Sequence, residues 1–353
     1  MNRKQRRTAE KMAKTQPRSA APRSAADNVV NKAIAAVQAG ALAEAEAAFD
    51  EVLARFPDHT EALHQKGMLL ARTDRVEDGI VLLRRVTAKE PREALYWNNL
   101  SAACLTIERS EEALAAARKA VELEAGYVMA LRNLAMAATD LGQCGQAAEA
   151  LEQAAAASPK DPDVWKRLGL AYIQLNDGSR AADAFAKAVS LAPRDAESLS
   201  NLGGLLAQRG RSDEALLHLE KAVAIDPERF AAALHYGLAL TLTGDLAKGL
   251  RWLRRATSVN PRSEAAWGAL ADAALAAGER AEALDAARRA VQFAPEGSVH
   301  QARLRKLERG EAGADAVELN LGGLIDLGTA LTAEPKEKEQ IDLSRSLDQI
   351  FIG

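Results

Sequence analysis

Apolar residues recur along the chain in columns that repeat every 34 residues. One column consists of Val29, Leu63, Trp97, Leu131, Trp165, Leu199, Ala233 and Trp267. A second column, apolar from its third member onwards, consists of Lys32, Lys66, Leu100, Leu134, Leu168, Leu202, Tyr236 and Leu270. No long run alternates apolar and polar residues at period two, and the apolar content is mostly Ala and Leu, which favour helices. The pattern therefore predicts an all-α chain in which these columns fill the space between neighbouring helix pairs.

Prolines and turn residues punctuate the chain with the same period. Seven of the 11 prolines lie 34 residues apart, with Ala125 at the one missing position: Pro57, Pro91, Pro159, Pro193, Pro227, Pro261 and Pro295. A turn column, where glycine or asparagine suits the left-handed residue that ends a helix, holds Gly40, Asp74, Glu108, Gly142, Asn176, Gly210, Gly244 and Gly278. A column of small residues would let two helix backbones approach: Ala45, Gly79, Ala113, Ala147, Ala181, Ala215, Gly249 and Ala283.

This pattern resembles that of the tetratricopeptide-repeat family, whose period is about 34 residues. The repeat that starts at Pro162 matches the family pattern at Trp165, Leu168, Gly169, Tyr172, Ala181, Phe185, Ala188 and Pro193. The other repeats match most positions, and the first departs furthest because Lys32 stands where Leu is usual. The resemblance implies a right-handed superhelical solenoid of about eight tandem helix-turn-helix repeats with a C-terminal capping helix. The first helix of each repeat would line a concave inner surface.

The sequence divides into four segments. Residues 1–25 carry eight Lys or Arg and one Glu, and we expect a basic, disordered tail. Residues 26–297 hold eight repeats that start near positions 26, 60, 94, 128, 162, 196, 230 and 264. An amphipathic capping helix is expected within residues 298–312, near Val299–Arg309, because terminal repeats need a polar outer face. Residues 313–353 form an acidic tail.

Composition excludes several classes of protein. The formal net charge of −3 argues against nucleic-acid binding by the whole domain, which needs a basic surface. Two cysteines provide neither a disulfide framework nor a metal cluster. The N-terminus lacks the apolar stretch of a signal peptide, and no run reaches the roughly 18 apolar residues of a membrane span. We therefore expect a soluble, cytoplasmic protein.

Solenoids bind partners along the concave face, so inward positions of the first helices are candidate binding residues. The sixth residue of each repeat is Asn31, Gln65, Asn99, Asn133, Arg167, Asn201, His235 and Ala269. An asparagine side chain both donates and accepts, so it can pair with the backbone of an extended peptide of any sequence. The column resembles the asparagine ladder in the repeat domain of O-GlcNAc transferase. The alternative is that these amides only satisfy neighbouring backbone groups.

The fifth residue of three repeats adds more polar groups, namely Asn98, Arg132 and Lys166. With Arg167 they predict a partly basic centre at which an acidic peptide would dock, since arginine pairs well with carboxylates. The alternative is an ordinary solvated face. The carboxylate clamp of chaperone-binding relatives matches only at Asn133 and Arg167, which argues against a chaperone C-terminus as ligand.

Candidate catalytic and metal-binding residues do not converge. A metal site needs converging ligands, but the histidines are scattered over four repeats and the predicted capping helix: His59, His64, His218, His235 and His300. Cys104 is expected to be a small buried hydrophobe, and nothing marks Cys144 as a nucleophile. About forty residues follow the predicted capping helix, too few for a catalytic domain. We predict no enzyme activity, no cofactor and no metal.

The acidic tail contains apolar residues that a disordered segment has no reason to expose. Its last part predicts a short amphipathic helix with the apolar set Ile341, Leu343, Leu347, Ile350, Phe351 and Ile352. One hypothesis is that the tail folds into the protein's own groove and inhibits it. Another is that it binds a partner or a second copy.

The sequence as a whole predicts a protein-interaction scaffold or adaptor that holds extended peptide segments in the concave groove. Two alternatives stay open: a structural protein that self-assembles through its C-terminal tail, and a non-catalytic targeting subunit of a transferase-type enzyme. A nucleic-acid role through residues 1–25 ranks last, since no aromatic residue is interleaved with the basic ones.

Overall fold

A computed structural model describes residues 20–294 and 298–310, and these residues are all-α. They fall into two compact units that meet in sequence between Ala125 and Gly126. The helices of unit 1 are α1 Ala20–Gln38, α2 Leu42–Arg55, α3 Thr60–Ala71, α4 Val76–Lys89, α5 Ala94–Thr106 and α6 Ser110–Leu123.

Unit 2 continues the same alternation of two helices and a short turn. Its first helices are α7 Val128–Asp140, α8 Cys144–Ala157, α9 Pro162–Gln174, α10 Gly178–Leu191, α11 Ala196–Gln208 and α12 Ser212–Ile225. Its remaining helices are α13 Phe230–Leu242, α14 Leu246–Val259, α15 Glu264–Ala276, α16 Arg280–Phe293 and α17 Val299–Arg309.

Each odd-numbered helix packs against the even-numbered helix that follows it. Unit 1 contains three such pairs, and unit 2 contains five, from α7 with α8 to α15 with α16. Odd-numbered helices also contact one another across repeats, as α11 contacts α13. The predicted all-α fold of tandem helix pairs is therefore confirmed within the described residues. Neither helix of a pair can bury its apolar face alone, so neighbouring pairs stack.

Helix ends follow the predicted turn column. Gly142 and Gly210 have φ of 70° and 73°, the left-handed conformation that glycine adopts without a steric penalty. Asn176 (φ 57°) and Glu108 (φ 59°) adopt it with a side chain. Asp74 is the one member of the column within the described residues that does not.

The small-residue column brings the two helices of a pair together. In unit 1 an added Cβ at Gly79 of α4 would lie 2.6 Å from the carbonyl oxygen of Gly67 in α3. Two large aromatic side chains, Phe49 in unit 1 and Phe185 in unit 2, are fully buried in the closely packed interior. A hydrogen bond joins the tryptophan-containing apolar column to the proline column. Trp97 Nε1 donates to the Pro91 carbonyl at 3.0 Å.

The first helix starts earlier than expected. Helix α1 begins at Ala20, six residues before the predicted start of the first repeat. Pro22 lies in the first turn, where a missing N–H breaks no helical hydrogen bond. The remaining predictions for the basic tail, for Pro295 and for the acidic tail from residue 313 lie outside the described residues.

Helix α17 packs on α16 and reaches α15. Arg280 of α16 donates from Nη2 to the Leu307 carbonyl at 2.7 Å. Arg303 Nη2 lies 3.1 Å from Asp272 Oδ2 of α15, and burial raises the pKa of this nearly enclosed carboxyl to about 6 against the opposing charge of Arg303. The helix thus supplies the contacts that a following repeat would make.

Candidate peptide-binding face

Polar side chains at the fifth and sixth positions of the odd-numbered helices form the candidate site, and each unit contains part of it. In unit 1, Asn31 of α1 is exposed, whereas Gln65, Asn98 and Asn99 are buried. Gln65 Nε2 donates to Glu61 Oε1 at 2.8 Å, and Asn98 Nδ2 donates to Asn99 Oδ1 at 3.2 Å. Neighbouring side chains therefore already occupy several of these amide groups.

A buried histidine completes the polar cluster of unit 1. Asn99 Nδ2 on α5 lies 2.8 Å from His64 Nε2 on α3. Burial lowers the pKa of His64 to about 4, with Glu61 acting in the opposite direction, so the ring is neutral at pH 7. An amide N–H can only donate, so Nε2 accepts and Nδ1 carries the proton. The contact links the sixth position of one repeat to the fifth position of the preceding one.

Unit 2 carries a network of charges across three successive odd-numbered helices. Arg132 Nη2 of α7 lies 2.6 Å from Asp163 Oδ2 of α9, and Arg167 Nε lies 2.9 Å from the same oxygen. Lys166 Nζ lies 3.2 Å from Glu197 Oε2 of α11. All five side chains are partly exposed, at 21–32%. The network links the fifth position of one repeat to the second position of the next.

The pKa directions agree with this pairing. Burial alone would raise the pKa of Asp163, but Arg167 and Arg132 hold it below its usual value. Burial alone would lower the pKa of Lys166, but Glu197 raises it above its usual value. Asp163 and Lys166 are therefore charged at pH 7. The predicted basic centre is a mixed one, with three cations facing two carboxylates.

The amide and imidazole side chains at the sixth position of the repeats in unit 2 are more deeply buried than the charge network. Asn133, Asn201 and His235 are each at most 5% exposed. His235 Nδ1 lies 3.3 Å from the Ser200 carbonyl oxygen, so Nδ1 must donate and Nε2 is left as an acceptor. Among the described residues, neither Nε2 of His235, nor Nδ2 of Asn201, nor Oγ of Ser200 has a hydrogen-bond partner. Burial lowers the pKa of His235 to about 4.

Sequence reasoning missed the two carboxylates and the serine of these clusters. Asp163 precedes Arg167 by four residues on one helix, a spacing at which opposite charges pair, so this contact could have been predicted. Glu197 shares the second position of its repeat with Asp163, which would have located it as well. Ser200 carried no such signal, because its role depends on which neighbour faces it.

The remaining candidates for chemistry lie apart from this face. No three His, Cys, Asp or Glu side chains within residues 20–294 and 298–310 are grouped as a metal site would need. Cys104 is fully buried, and burial raises the pKa of its thiol to about 12, far from a reactive thiolate. Cys144 is half-buried. None of the helices in the described part is long and apolar enough to cross a membrane.

Comparison with known proteins identifies the fold family. Three family models, each described as a tetratricopeptide repeat, match residues 36–104 and 206–271, residues 94–127, and residues 132–196 and 171–229. Together these matches span well over half of the chain. The chain belongs to the tetratricopeptide-repeat family. No curated protein matches it in sequence.

Solved tetratricopeptide-repeat structures resemble it at low identity. One from Parabacteroides merdae ATCC 43184 is 18% identical, with a TM-score of 0.51 over 70% of this chain and 98% of its own. A chain of the APC/C hetero-tetramer Cut9–Hcn1 is 16% identical, with a TM-score of 0.53 over 79% of this chain and 55% of its own. YrrB, described as a TPR protein with an unusual peptide-binding site, is 23% identical, with a TM-score of 0.46 over 51% of this chain and 92% of its own. At these identities the likeness shows the fold alone.

Proposed function

We propose that this tetratricopeptide-repeat protein is an interaction scaffold that binds an extended peptide segment along its odd-numbered helices. The observation that carries the proposal is the charge network of unit 2, in which partly exposed groups of both signs follow three successive repeats. Repeated positions on stacked helices give a ligand the same kind of contact at regular intervals. The proposal requires no catalytic group.

The spacing of helices suits an extended ligand. Packed helices lie about 8–10 Å apart, and an extended peptide advances about 3.3 Å per residue. Three residues of peptide would therefore pass from one odd-numbered helix to the next. In a polyproline II conformation, which has three residues per turn and rises about 3.1 Å per residue, every third side chain would point towards the odd-numbered helices and meet the next member of the charge network.

The pairing within the network determines which ligands would compete best. An incoming carboxylate must replace Asp163 or Glu197 as the partner of a cation, so a purely acidic ligand gains less than free arginines would offer. A ligand with charges of both signs could bind Arg132 and Asp163 together. The expected preference is for polar segments of mixed charge, with a modest bias towards acidic ones because one positive charge is left over.

The proposal is tested by selecting peptides from a displayed library of random, unstructured 12-residue sequences on the full chain. Affinities of the selected peptides are then measured for Arg132→Ala and Lys166→Ala. The matched control is Arg211→Ala, immediately before α12, which removes an exposed arginine paired with Glu214. Loss of a charged contact predicts about 10-fold weaker binding for the first two variants.

The outcome separates the two faces of the chain. Weaker binding to Arg132→Ala and Lys166→Ala, with unchanged binding to Arg211→Ala, supports the odd-numbered helices as the site. Selected peptides that bind all three variants as tightly as the parent would show that the charge network is only a structural feature.

A further inference from the structure

Unit 1 contains an apolar cleft of about 530 Å3 formed by α4, α5 and α6. Trp97 and Leu100 of α5 provide its large apolar side chains, and the small residues Ala88, Ala115 and Ala116 leave space beside them. Its charged lining comes from Arg84, Glu112 and Lys119. This Trp97 cleft is a surface distinct from the candidate peptide-binding face, and its volume falls in the range of ligand sites.

Unit 2 repeats the same construction around a second tryptophan. Arg84 forms two hydrogen bonds of 2.6 Å with Glu112, and Arg254 forms matching bonds of 2.8 and 2.7 Å with Glu282. Trp267 corresponds to Trp97 in the repeat register. Its Nε1 donates to a proline carbonyl at 2.8 Å, as that of Trp97 does at 3.0 Å.

The two clefts differ in what covers the indole ring. The Arg289 guanidinium lies 4.6 Å from the centre of the Trp267 ring, and Asp285 holds it there, with Oδ2 3.1 Å from Arg289 Nε. Trp267 is only 9% exposed. In unit 1, Ala115 stands in the place of Asp285 and Lys119 in the place of Arg289.

The substitution of these two residues leaves the Trp97 cleft open. Lys119 Nζ turns to Glu122, 3.0 Å away, instead of lying on the ring. Lysine also lacks the planar guanidinium that stacks on an aromatic face. The apolar lining of this cleft is therefore accessible to another segment.

The C-terminal tail has the complementary chemistry. In the amphipathic helix that the sequence predicts for this segment, Leu343, Leu347 and Ile350 would share one face, because they are spaced by four and three residues. Asp342 and Asp348 flank that face on a helical projection, one on each side. The cleft has an apolar interior, and the cations in its lining, Arg84 and Lys119, are paired with Glu112 and Glu122.

We propose that residues 341–352 dock in the Trp97 cleft of the same molecule, with Leu343, Leu347 and Ile350 against the apolar side chains of α5 and α6. The roughly 30 residues after Gly310 can span about 100 Å when fully extended. A flexible tether that reaches its site gives an effective concentration in the millimolar range, far above that of a second molecule in dilute solution. For this reason we commit to docking within one chain, and a disulfide between two chains is an outcome of the test.

Disulfide trapping in the full chain tests the proposal, with Cys144→Ser removing the half-buried thiol. Ile350→Cys in the tail is combined with either Ala88→Cys or Ser258→Cys. Both positions are exposed, and Ser258 holds the position beside the covered Trp267 that Ala88 holds beside Trp97. The expected result is a disulfide within one chain for Ala88→Cys, formed at least tenfold faster than for Ser258→Cys.

Two further variants identify the contacts responsible. Leu347→Asp should slow trapping at position 88 at least fivefold, whereas Gln349→Asp adds the same charge outside the apolar face and should not. Ala115→Asp with Lys119→Arg, both on exposed or half-exposed positions of α6, should cover the cleft as in unit 2 and abolish trapping. Equal rates at positions 88 and 258, an unaffected Leu347→Asp variant or a disulfide between two chains would each overturn the proposal.

Discussion

The clefts at Trp97 and Trp267 are built from the same elements, yet one is open and the other is covered. Each has a tryptophan bonded to a proline carbonyl and an Arg–Glu pair between even-numbered helices. The two clefts differ at two positions four residues apart on one helix. An aspartate that holds an arginine on the ring makes the cleft of unit 2 part of the folded core, whereas alanine and lysine leave that of unit 1 available for binding.

The largest test of this comparison is truncation of each tryptophan. Trp267→Ala should cost about 3–5 kcal/mol of unfolding free energy, because the ring is buried and carries Arg289. Trp97→Ala should cost about 2–3 kcal/mol, because the half-buried ring loses less apolar contact. Denaturant unfolding followed by helical circular dichroism measures both.

The decisive result is which of the two substitutions lowers the unfolding free energy more. Units of a repeat array can unfold separately, so each substitution is read from the transition whose midpoint it moves. Equal costs would mean that Arg289 and its aspartate add no cover, and the contrast between the clefts would then be one of shape only.

The second prediction concerns the buried histidines, in which the two units are alike. Burial lowers the pKa of His64 and of His235 to about 4 from an ordinary value of 6.5. Between these values the unfolded chain binds protons that the folded chain does not, so stability falls as the pH falls. At pH 5 each histidine should remove about 2 kcal/mol relative to pH 7.5.

His235→Asn isolates one of these contributions and installs the amide that Asn201 provides one repeat earlier. The comparison is necessary because Asp272, with its pKa raised to about 6, acts in the opposite direction. The variant should lose about 2 kcal/mol less than the parent between pH 7.5 and pH 5 in urea unfolding. Identical losses would show that the folded chain already protonates His235 at pH 5.

The fold was predictable because every repeat carries the same pattern of apolar, small and turn-forming residues. The left-handed turn at Gly142 and the close approach at Gly79 each follow from a residue type whose backbone freedom or size is needed there. The start of α1 was not predictable from the repeat register. Alanines before the first repeat extend the helix through local propensity, which a 34-residue pattern does not record.

The candidate site was less predictable, since the sequence showed which residues share a helix face but not which partners they meet. Arg132 and Lys166 were assigned to a basic centre, but Asp163 and Glu197 lie against them. Both ion pairs join the fifth position of one repeat to the second position of the next. Once one of them is known, the other follows from the repeat register. The covered state of Trp267 likewise depends on a pair of residues on a different helix.

The third prediction compares two buried serines, one in each unit. Ser101 Oγ donates to the Ala113 carbonyl at 2.8 Å, so Ser101→Ala should cost about 1 kcal/mol. Ser200 Oγ is equally buried but has no partner among the described residues, so Ser200→Ala should be neutral or stabilise by up to about 1 kcal/mol. Thermal unfolding of the two variants side by side gives the difference, and a cost for Ser200→Ala as large as that for Ser101→Ala would reveal a hydrogen bond at Ser200.

The smallest effect comes from transferring the cover of Trp267 to Trp97. Aspartate is a weaker helix former than alanine, so Ala115→Asp alone should cost about 0.5 kcal/mol, and Lys119→Arg alone should change little. Together they create an i,i+4 ion pair that positions a guanidinium over an indole ring, and we expect a favourable coupling of about 0.5–1 kcal/mol. A double-mutant cycle in urea measures this coupling free of the helix-propensity cost. The reverse cycle in unit 2, Asp285→Ala with Arg289→Lys, should give a coupling of the same size, because both clefts have the same Trp–Pro hydrogen bond and the same Arg–Glu pair. A coupling present in unit 2 and absent in unit 1 would mean that the Trp97 cleft is open for a reason beyond these two residues.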